Sequence, residues 1–505
     1  MTRTSTRPAL LVCLAAEDGA YMPSGRWEYR MKRLPHLGMG MLSASLKRVG
    51  IPARILDQSV HGYDLEGLVR EVGEVRPPFV GLYSTVTQRG VVCGAVRALR
   101  ATHPEVPVIV GGPDRVRSDL YLGAGAHAVA VGEGEELVVE IARALAGRAA
   151  GGDVGIADAL EAIPGLLLPV EGAESAAGRS TGARAPIQDL DALPFPDRDA
   201  VPVDAYYDHH VFGMRLPYTT AMASRGCPYR CTFCDSPAIW GNKVRTRSPE
   251  NVVAELVDLH ERYGVRYVGF KDDQFAVKPD WQEPFLAQLT ERQLDIKWSC
   301  LVHPYNFRRN REEKLRRFRD AGCDLLSFGL QAVDPKILKG IRRSTEEPRE
   351  LAENVRVARQ LGITTAVHFI FGLPGETLEN MAGAIEWARA TRPNYTVFFP
   401  LTVLEESELG RTHPDGPVTE LSPEVLDREV NRAYRSVYGS PRWLLGNFLH
   451  VARKNPRWFL RAAAHAGYLA RATVLNRVRF RVHRRVEAPP GMAAGPHPAY
   501  LAPYG

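Results

Sequence analysis

Three of the seven cysteines crowd into the run RGCPYRCTFC, residues 225–234, as Cys227, Cys231 and Cys234. Clustered thiols in a long chain mark a metal site rather than a disulfide framework. The spacing Cys-x3-Cys-x2-Cys supplies three ligands, whereas a structural zinc ion or a fully ligated iron–sulfur cluster takes four. Two chemistries follow. Three thiolates on a [4Fe–4S] cube leave one iron free to bind and activate a substrate. Alternatively, Cys300 or Cys323 supplies a fourth thiolate and the site is closed, zinc included. Gly226 and Pro228 shape a tight loop around the first cysteine, and Phe233 sets an aromatic ring beside the last. Cys13, Cys93, Cys300 and Cys323 each sit in apolar runs and read as small buried hydrophobes.

The loop needs a scaffold, and an alternating βα series starts near Pro217. Its strand-like runs are Thr219–Ala223, Val265–Phe270, Ile296–Val302, Leu325–Leu330, Thr364–Ile370 and Thr396–Phe399, separated by amphipathic stretches such as Pro249–Tyr263 and Pro279–Arg292. Six βα units (216–415) predict a partial TIM-type (β/α)6 barrel, whose reactive groups gather at the carboxyl ends of its strands. There the sequence places Asp272 and Asp273, Gln331, and Gly372 within the run GLPGE (372–376). Each of these polar residues also suits a strand–helix turn as a helix cap. Trp240, Trp298, His303, Tyr305 and His368 lie close enough to strand ends to line a pocket, or to be core.

A first series precedes it. Apolar runs at 10–14, 53–56, 79–83, 106–110 and 128–131 alternate with helical periodicity over residues 1–150. Buried strands alternating with helices predict a doubly wound, flavodoxin-like (Rossmann-like) α/β domain. Ligands approach such sheets at the carboxyl edge, where the chain offers Gly38, Ser84, Thr85, Gly111, Gly112, Gly132, Glu133 and Gly134. Small residues there admit a ligand close to the backbone, or simply make turns. Residues 151–215 read as a linker, proline-punctuated over 191–202, with a small hairpin near Gly165–Val170. Residues 416–487 form a C-terminal α-helical region. Its stretch 441–486 holds eleven Lys or Arg and no acidic residue. It predicts either a helical cap with a solvated basic face or a helix pair touching anionic lipid. The tail 488–505, rich in Pro, Gly and Ala, reads as disordered.

The 505 residues suffice for two or three domains. With 45% hydrophobic and 24% charged residues the composition is that of a folded protein, and a net charge of +6 is too weak an argument for a nucleic-acid partner. No run is apolar enough to span a membrane, and the start lacks a signal-peptide core, so the expected location is cytoplasmic, peripheral to the membrane's inner face if the basic helices bind lipid.

The RGCPYRCTFC loop resembles the signature loop of the radical S-adenosylmethionine superfamily, and the resemblance spans roughly residues 215–400. It implies that the methionyl amine and carboxylate of S-adenosylmethionine chelate the free iron. An electron from an external donor of flavodoxin or ferredoxin type then releases a 5′-deoxyadenosyl radical. By the same resemblance Phe233 contacts the adenine through its backbone, Asp272 or Asp273 meets the methionyl amine, Gln331 reaches the ribose, and Gly372 belongs to the adenine pocket. The usual small-Gly-Gly-Glu pattern is absent, which leaves the choice between the two aspartates open.

With that barrel behind it, the first domain resembles the cobalamin-binding domain of the B12-dependent radical S-adenosylmethionine group, which includes natural-product methyltransferases and enzymes of hopanoids and bacteriochlorophyll precursors. Gly38, Ser84, Thr85, Gly111, Gly112, Gly132, Glu133 and Gly134 match its strand-end positions. No Asp-x-His-x-x-Gly follows the first strand, where the chain reads AAEDGAYM (15–22). The resemblance thus implies base-off cobalamin with water or a nonligating side chain beneath the cobalt. It implies methyl transfer to an unactivated carbon, or to phosphorus, of a secondary-metabolite or lipid-like substrate. The alternatives are a cyclase or oxidative rearrangement enzyme with the same cofactors, and a non-enzymatic cluster- and cobalamin-bearing sensor. A tRNA methylthiotransferase would carry three further cluster cysteines in the first domain, which holds only Cys13 and Cys93.

Overall fold

A computed structural model describes residues 7–15, 32–151, 155–170, 178–200, 202–208, 215–414 and 417–454. Two compact units divide the chain, with the main break near Ala205.

In the first unit, strands β1 (Ala9–Cys13), β2 (Ala53–Asp57), β3 (Val80–Tyr83), β4 (Val108–Gly111) and β5 (Ala128–Ala130) pair in parallel in the order β2-β1-β3-β4-β5. The strands are short apolar runs because both faces are covered: every residue of β1 is buried. Helix α1 (Leu37–Arg48) follows β1 and runs against α2 (Gly134–Gly151), which follows β5. Gly134 permits that approach, since a side chain there would come within 2.9 Å of Leu42.

The stretch that reads as a linker contributes structure to this unit. Strands β6 (Leu166–Pro169) and β7 (Gly178–Ser180) add antiparallel to β5 and extend the sheet. Farther on, Asp197 accepts a hydrogen bond from Ser43 and an ion pair from Lys47, so the proline-rich segment lies along α1.

The second unit holds six parallel strands in chain order: β8 (Tyr218–Ala221), β9 (Tyr267–Phe270), β10 (Lys297–Leu301), β11 (Cys323–Gln331), β12 (Thr364–Phe371) and β13 (Tyr395–Pro400). The two outer strands are not paired with each other, which makes an open, partial (β/α)6 barrel. Alternate residues of β10 and β11 are fully buried beneath the helices, while Ser299, Ser327 and Gln331 belong to the less covered set. Trp298 is core, ringed by Phe270, Phe275, Phe285 and Phe318. Two of the helices match their expected bounds residue for residue. Pro249–Tyr263 is capped by the Ser248 hydroxyl and ended by left-handed Gly264, and Pro279–Arg292 starts on a proline.

The basic region enters as helix Pro441–Lys454. Lys454 bonds Asp324 and Thr364, and His450 bonds Thr364, at the amino ends of β11 and β12. Over these residues the helix caps the barrel. The rest of the basic stretch and the tail lie outside the described residues. Among the described residues no helix is long and apolar enough to cross a membrane.

Candidate functional site

The cysteine loop leaves β8 at the carboxyl end of the barrel. Gly226 adopts φ 96°, and a side chain there would lie 2.5 Å from the Lys243 carbonyl, so the loop closes only on glycine. A turn from Cys234 N–H to the Cys231 carbonyl (3.2 Å) sets the last two thiols, and the Leu409 N–H ties down Thr232 from outside. Phe233 packs against a buried cluster that includes Ile337, Leu338 and Leu373, joining the loop to the ends of β11 and β12.

Burial pushes the Cys227 thiol up to about 11 and that of Cys234 to about 12. Thiolates at these positions need a cationic partner to offset desolvation. Among the described residues no three His, Cys, Asp or Glu side chains sit close enough to share one metal ion. Cys300 and Cys323 do not complete the site. They are buried in adjacent strands, where one thiol bonds the other.

The two aspartates separate by role. Asp272, 4% exposed, accepts hydrogen bonds from Ala223 N–H (3.1 Å) and the Ser224 hydroxyl (2.6 Å). It is spent on holding the base of the cysteine loop, and burial lifts its carboxyl to about 6. Asp273 takes one bond, from the Ser236 hydroxyl (2.6 Å), and lies near enough to Cys227 and Cys234 to raise both thiols. At the end of β11 Gln331 has φ 73°, a conformation that strains any residue but glycine. Its amide folds back over Gly329, where a side chain would meet it at 2.4 Å. Gly372 and Leu373 donate their N–H groups to buried Glu376, which organises the GLPGE turn and is raised to about 7 by burial.

Arg343 and Glu347, which the sequence did not single out, form a buried polar chain here with His303, which it did. The Arg343 side chain is 5% exposed; it donates to the Gly329 carbonyl (2.6 Å) and Glu347 (2.9 Å), and points a third N–H at Cys231 Sγ (3.9 Å). Glu347, 2% exposed, faces His303 Nε2 at 3.5 Å. His303 Nδ1 accepts from Tyr305 N–H, so its proton sits on Nε2 and points to Glu347. Its ring stacks on Tyr229, between the first two cysteines, at 4.1 Å. Burial opposes ionisation of Glu347, but the His303 bond and the Arg343 cation together hold its carboxyl below the usual range. The chain therefore braces the loop and sets one fixed positive charge beside it. Of the other pocket candidates, His368 bonds Ser327 (2.6 Å) and stacks on Phe399, Tyr305 bonds Ser344, and Trp240 lies under Arg225.

In the first unit the eight expected positions lie on or beside the carboxyl edge of the sheet, with different duties. The Ser84 hydroxyl bonds Tyr121 (2.6 Å), which donates to Asp114 (2.6 Å), itself paired with Arg89, all buried. Thr85 caps the turn that follows, through Gln88. Glu133 accepts the Ile187 N–H. Gly38 opens on space, with nothing within 4 Å of a side chain placed there. Gly112 has φ 123°, and a side chain would lie 2.3 Å from the Ser84 carbonyl. Gly112→Ala is therefore expected to cost about 1–3 kcal/mol in denaturant unfolding and to strip the protein of any corrinoid it retains through gel filtration. A variant that keeps both properties would show that Ser84 is not held by this contact.

Residues 222–388 match the model of the radical SAM superfamily, and residues 31–142 match that of the B12 binding domain. An uncharacterised methyltransferase of Pyrococcus horikoshii is 27% identical over 81% of this chain and 89% of its own length. The cytidylyl-2-hydroxyethylphosphonate methyltransferase of Streptomyces wedmorensis is 26% identical over 74% and 77%. Among solved structures, the radical S-adenosylmethionine methyltransferase TsrM of Kitasatospora setae, with cobalamin and a [4Fe–4S] cluster bound, superposes with a TM-score of 0.64 over 80% of this chain and 77% of its own, at 21% identity. That is a likeness of fold.

Proposed function

From the premise that the chain belongs to the radical S-adenosylmethionine superfamily and carries a B12-binding domain ahead of its barrel, we propose that it transfers a methyl group to an unactivated carbon, or to phosphorus, of a small molecule. The observation that carries this reading is the cysteine loop at the carboxyl face of the barrel. Three thiols share this one short loop, and Cys300 and Cys323 are buried together in neighbouring strands. The cluster would supply the electron that cleaves S-adenosylmethionine, and the cobalamin would carry the methyl group. The chain's own part is positional. Cys227, Cys231 and Cys234 would ligate iron. Asp273 is the better-placed of the two aspartates to accept hydrogen bonds from the methionyl ammonium, because Asp272 is already committed to the loop. Phe233, Gln331 and Gly372 are the proposed neighbours of the adenosyl group.

In the first domain Ser84, Gly112 and Gly38 are proposed to face the corrinoid, while Thr85 and Glu133 shape the edge. The remaining glycines let the backbone approach. An external one-electron donor is a required partner. The helix 441–454 is read as a barrel cap, since Asn447, His450 and Lys454 all bond inward.

Incubation without oxygen, with reductant, cobalamin, methyl-labelled S-adenosylmethionine and candidate metabolites, should yield 5′-deoxyadenosine and a product carrying the label. An unlabelled product that has lost hydrogen would replace methyl transfer by cyclisation. No cleavage of S-adenosylmethionine by the reconstituted protein would favour the sensor.

A further inference from the structure

We propose that His36 is a cobalt ligand, binding the metal of the cobalamin from the side of the sheet. The inference rests on the reading that this domain holds cobalamin. A doubly wound sheet receives its ligand at the carboxyl edge, where the strand order reverses. In the order β2-β1-β3-β4-β5 that point lies between β1 and β3. The chain that leaves β1 returns at the start of α1, whose N-cap residue is His36. The chain that leaves β3 does so through Tyr83 and Ser84. The rings of His36 and Tyr83 meet edge to face here, centroids 5.3 Å apart.

Both side chains are left uncommitted by the protein around them. His36 makes no capping bond, and among the described residues neither its ring nitrogens nor the Tyr83 hydroxyl has a hydrogen-bond partner. The other described imidazoles of this unit are committed: His61 to the Asp57 backbone, His103 to the Val69 carbonyl and His127 to the Val108 N–H. Both are only partly buried, so these groups are free to exchange water for a ligand at this edge without breaking a protein hydrogen bond. The space is present, because Gly38, two residues on, is exposed and faces nothing within 4 Å. Burial also lowers the His36 pKa, outweighing the opposing pull of Asp57, so the ring is neutral near pH 7 and keeps a lone pair. A neutral imidazole is a good ligand for a divalent first-row metal. The absence of Asp-x-His-x-x-Gly removes a ligand from the loop after β1, but His36 reaches the same edge from that loop's far end.

The ligand can be read spectroscopically without turnover. In low-spin cob(II)alamin the unpaired electron lies along the axial bond, so an axial nitrogen splits the cobalt lines and an oxygen does not. Full-length protein with nitrogen-15-labelled histidine, loaded with unlabelled cob(II)alamin, should show doublets, since nitrogen-15 has spin one half. The His36→Ala protein should retain the corrinoid and lose the splitting. Triplets, which report the cofactor's own base, would overturn the proposal, as would unsplit lines or doublets that persist in His36→Ala. Failure of the labelled protein to retain any corrinoid would overturn the cofactor reading and this one with it.

Discussion

Cys231→Ala is expected to give a folded protein that holds no intact iron–sulfur chromophore and releases no 5′-deoxyadenosine. Cys231 is partly exposed and lies on a loop, so its thiol contributes little to the core. Unfolding should shift by less than about 1 kcal/mol, as for ordinary surface substitutions. The chemistry has no such tolerance. In the proposed site each of the three thiols would be one ligand of a set that already leaves one iron free, and two would not hold the cube. Cys300→Ala is the control. That residue is buried beside Cys323, in the layer under the helices. Its loss should lower stability modestly and leave the visible absorption and the cleavage of S-adenosylmethionine intact. Retained cleavage in Cys231→Ala, or its loss in Cys300→Ala, would mean that the ligands have been misassigned.

Much of this was legible from residue type and period. Apolar runs four to six residues long, bounded by glycine or proline, located every strand of both parallel sheets to within a few residues, and the cysteine spacing found the loop. What escaped was set by contacts distant in sequence. Arg343 and Glu347 belong to the polar run RRSTEEPRE, which has the composition of a solvated turn. Only the fold shows that Gly329, fourteen residues earlier, offers a bare carbonyl that draws the guanidinium inward. Asp272 and Asp273 are chemically identical neighbours, and the strand register sends one to the loop base and the other to the thiols. Thr85 reads as a ligand group because it stands at a strand end, yet its hydroxyl is used by Gln88. The small hairpin expected near Gly165–Val170 is there as β6, but its partner β7 and its pairing onto β5 were hidden by a composition rich in Gly, Glu and Ala, because an edge hairpin needs only one apolar face.

Arg343→Met is expected to destabilise the barrel by about 3–5 kcal/mol, the cost of breaking a buried ion pair from one side. Methionine fills much of the volume, but Glu347 remains 2% exposed with only His303 and the Ser344 N–H to oppose its charge. The dependence on pH gives the sign. In the parent protein the Glu347 carboxyl is held below its ordinary value, so the pair's contribution is present at neutral pH and is lost as acid titrates the carboxylate. In the variant the His303 and Ser344 bonds still oppose burial but the Arg343 cation is gone, so the carboxyl rises from its value in the parent and the penalty grows with pH. The variant should thus fall further behind the parent at pH 8 than at pH 5. Double replacement, Arg343→Met with Glu347→Leu, removes both charges and should recover most of the stability, since apolar substitutes for a buried pair are often neutral. It should not recover cluster function, because the cation beside Cys231 and the brace on His303 and Tyr229 are both gone. If the double variant cleaves S-adenosylmethionine as the parent does, the chain from Tyr229 to Arg343 serves only to hold the fold.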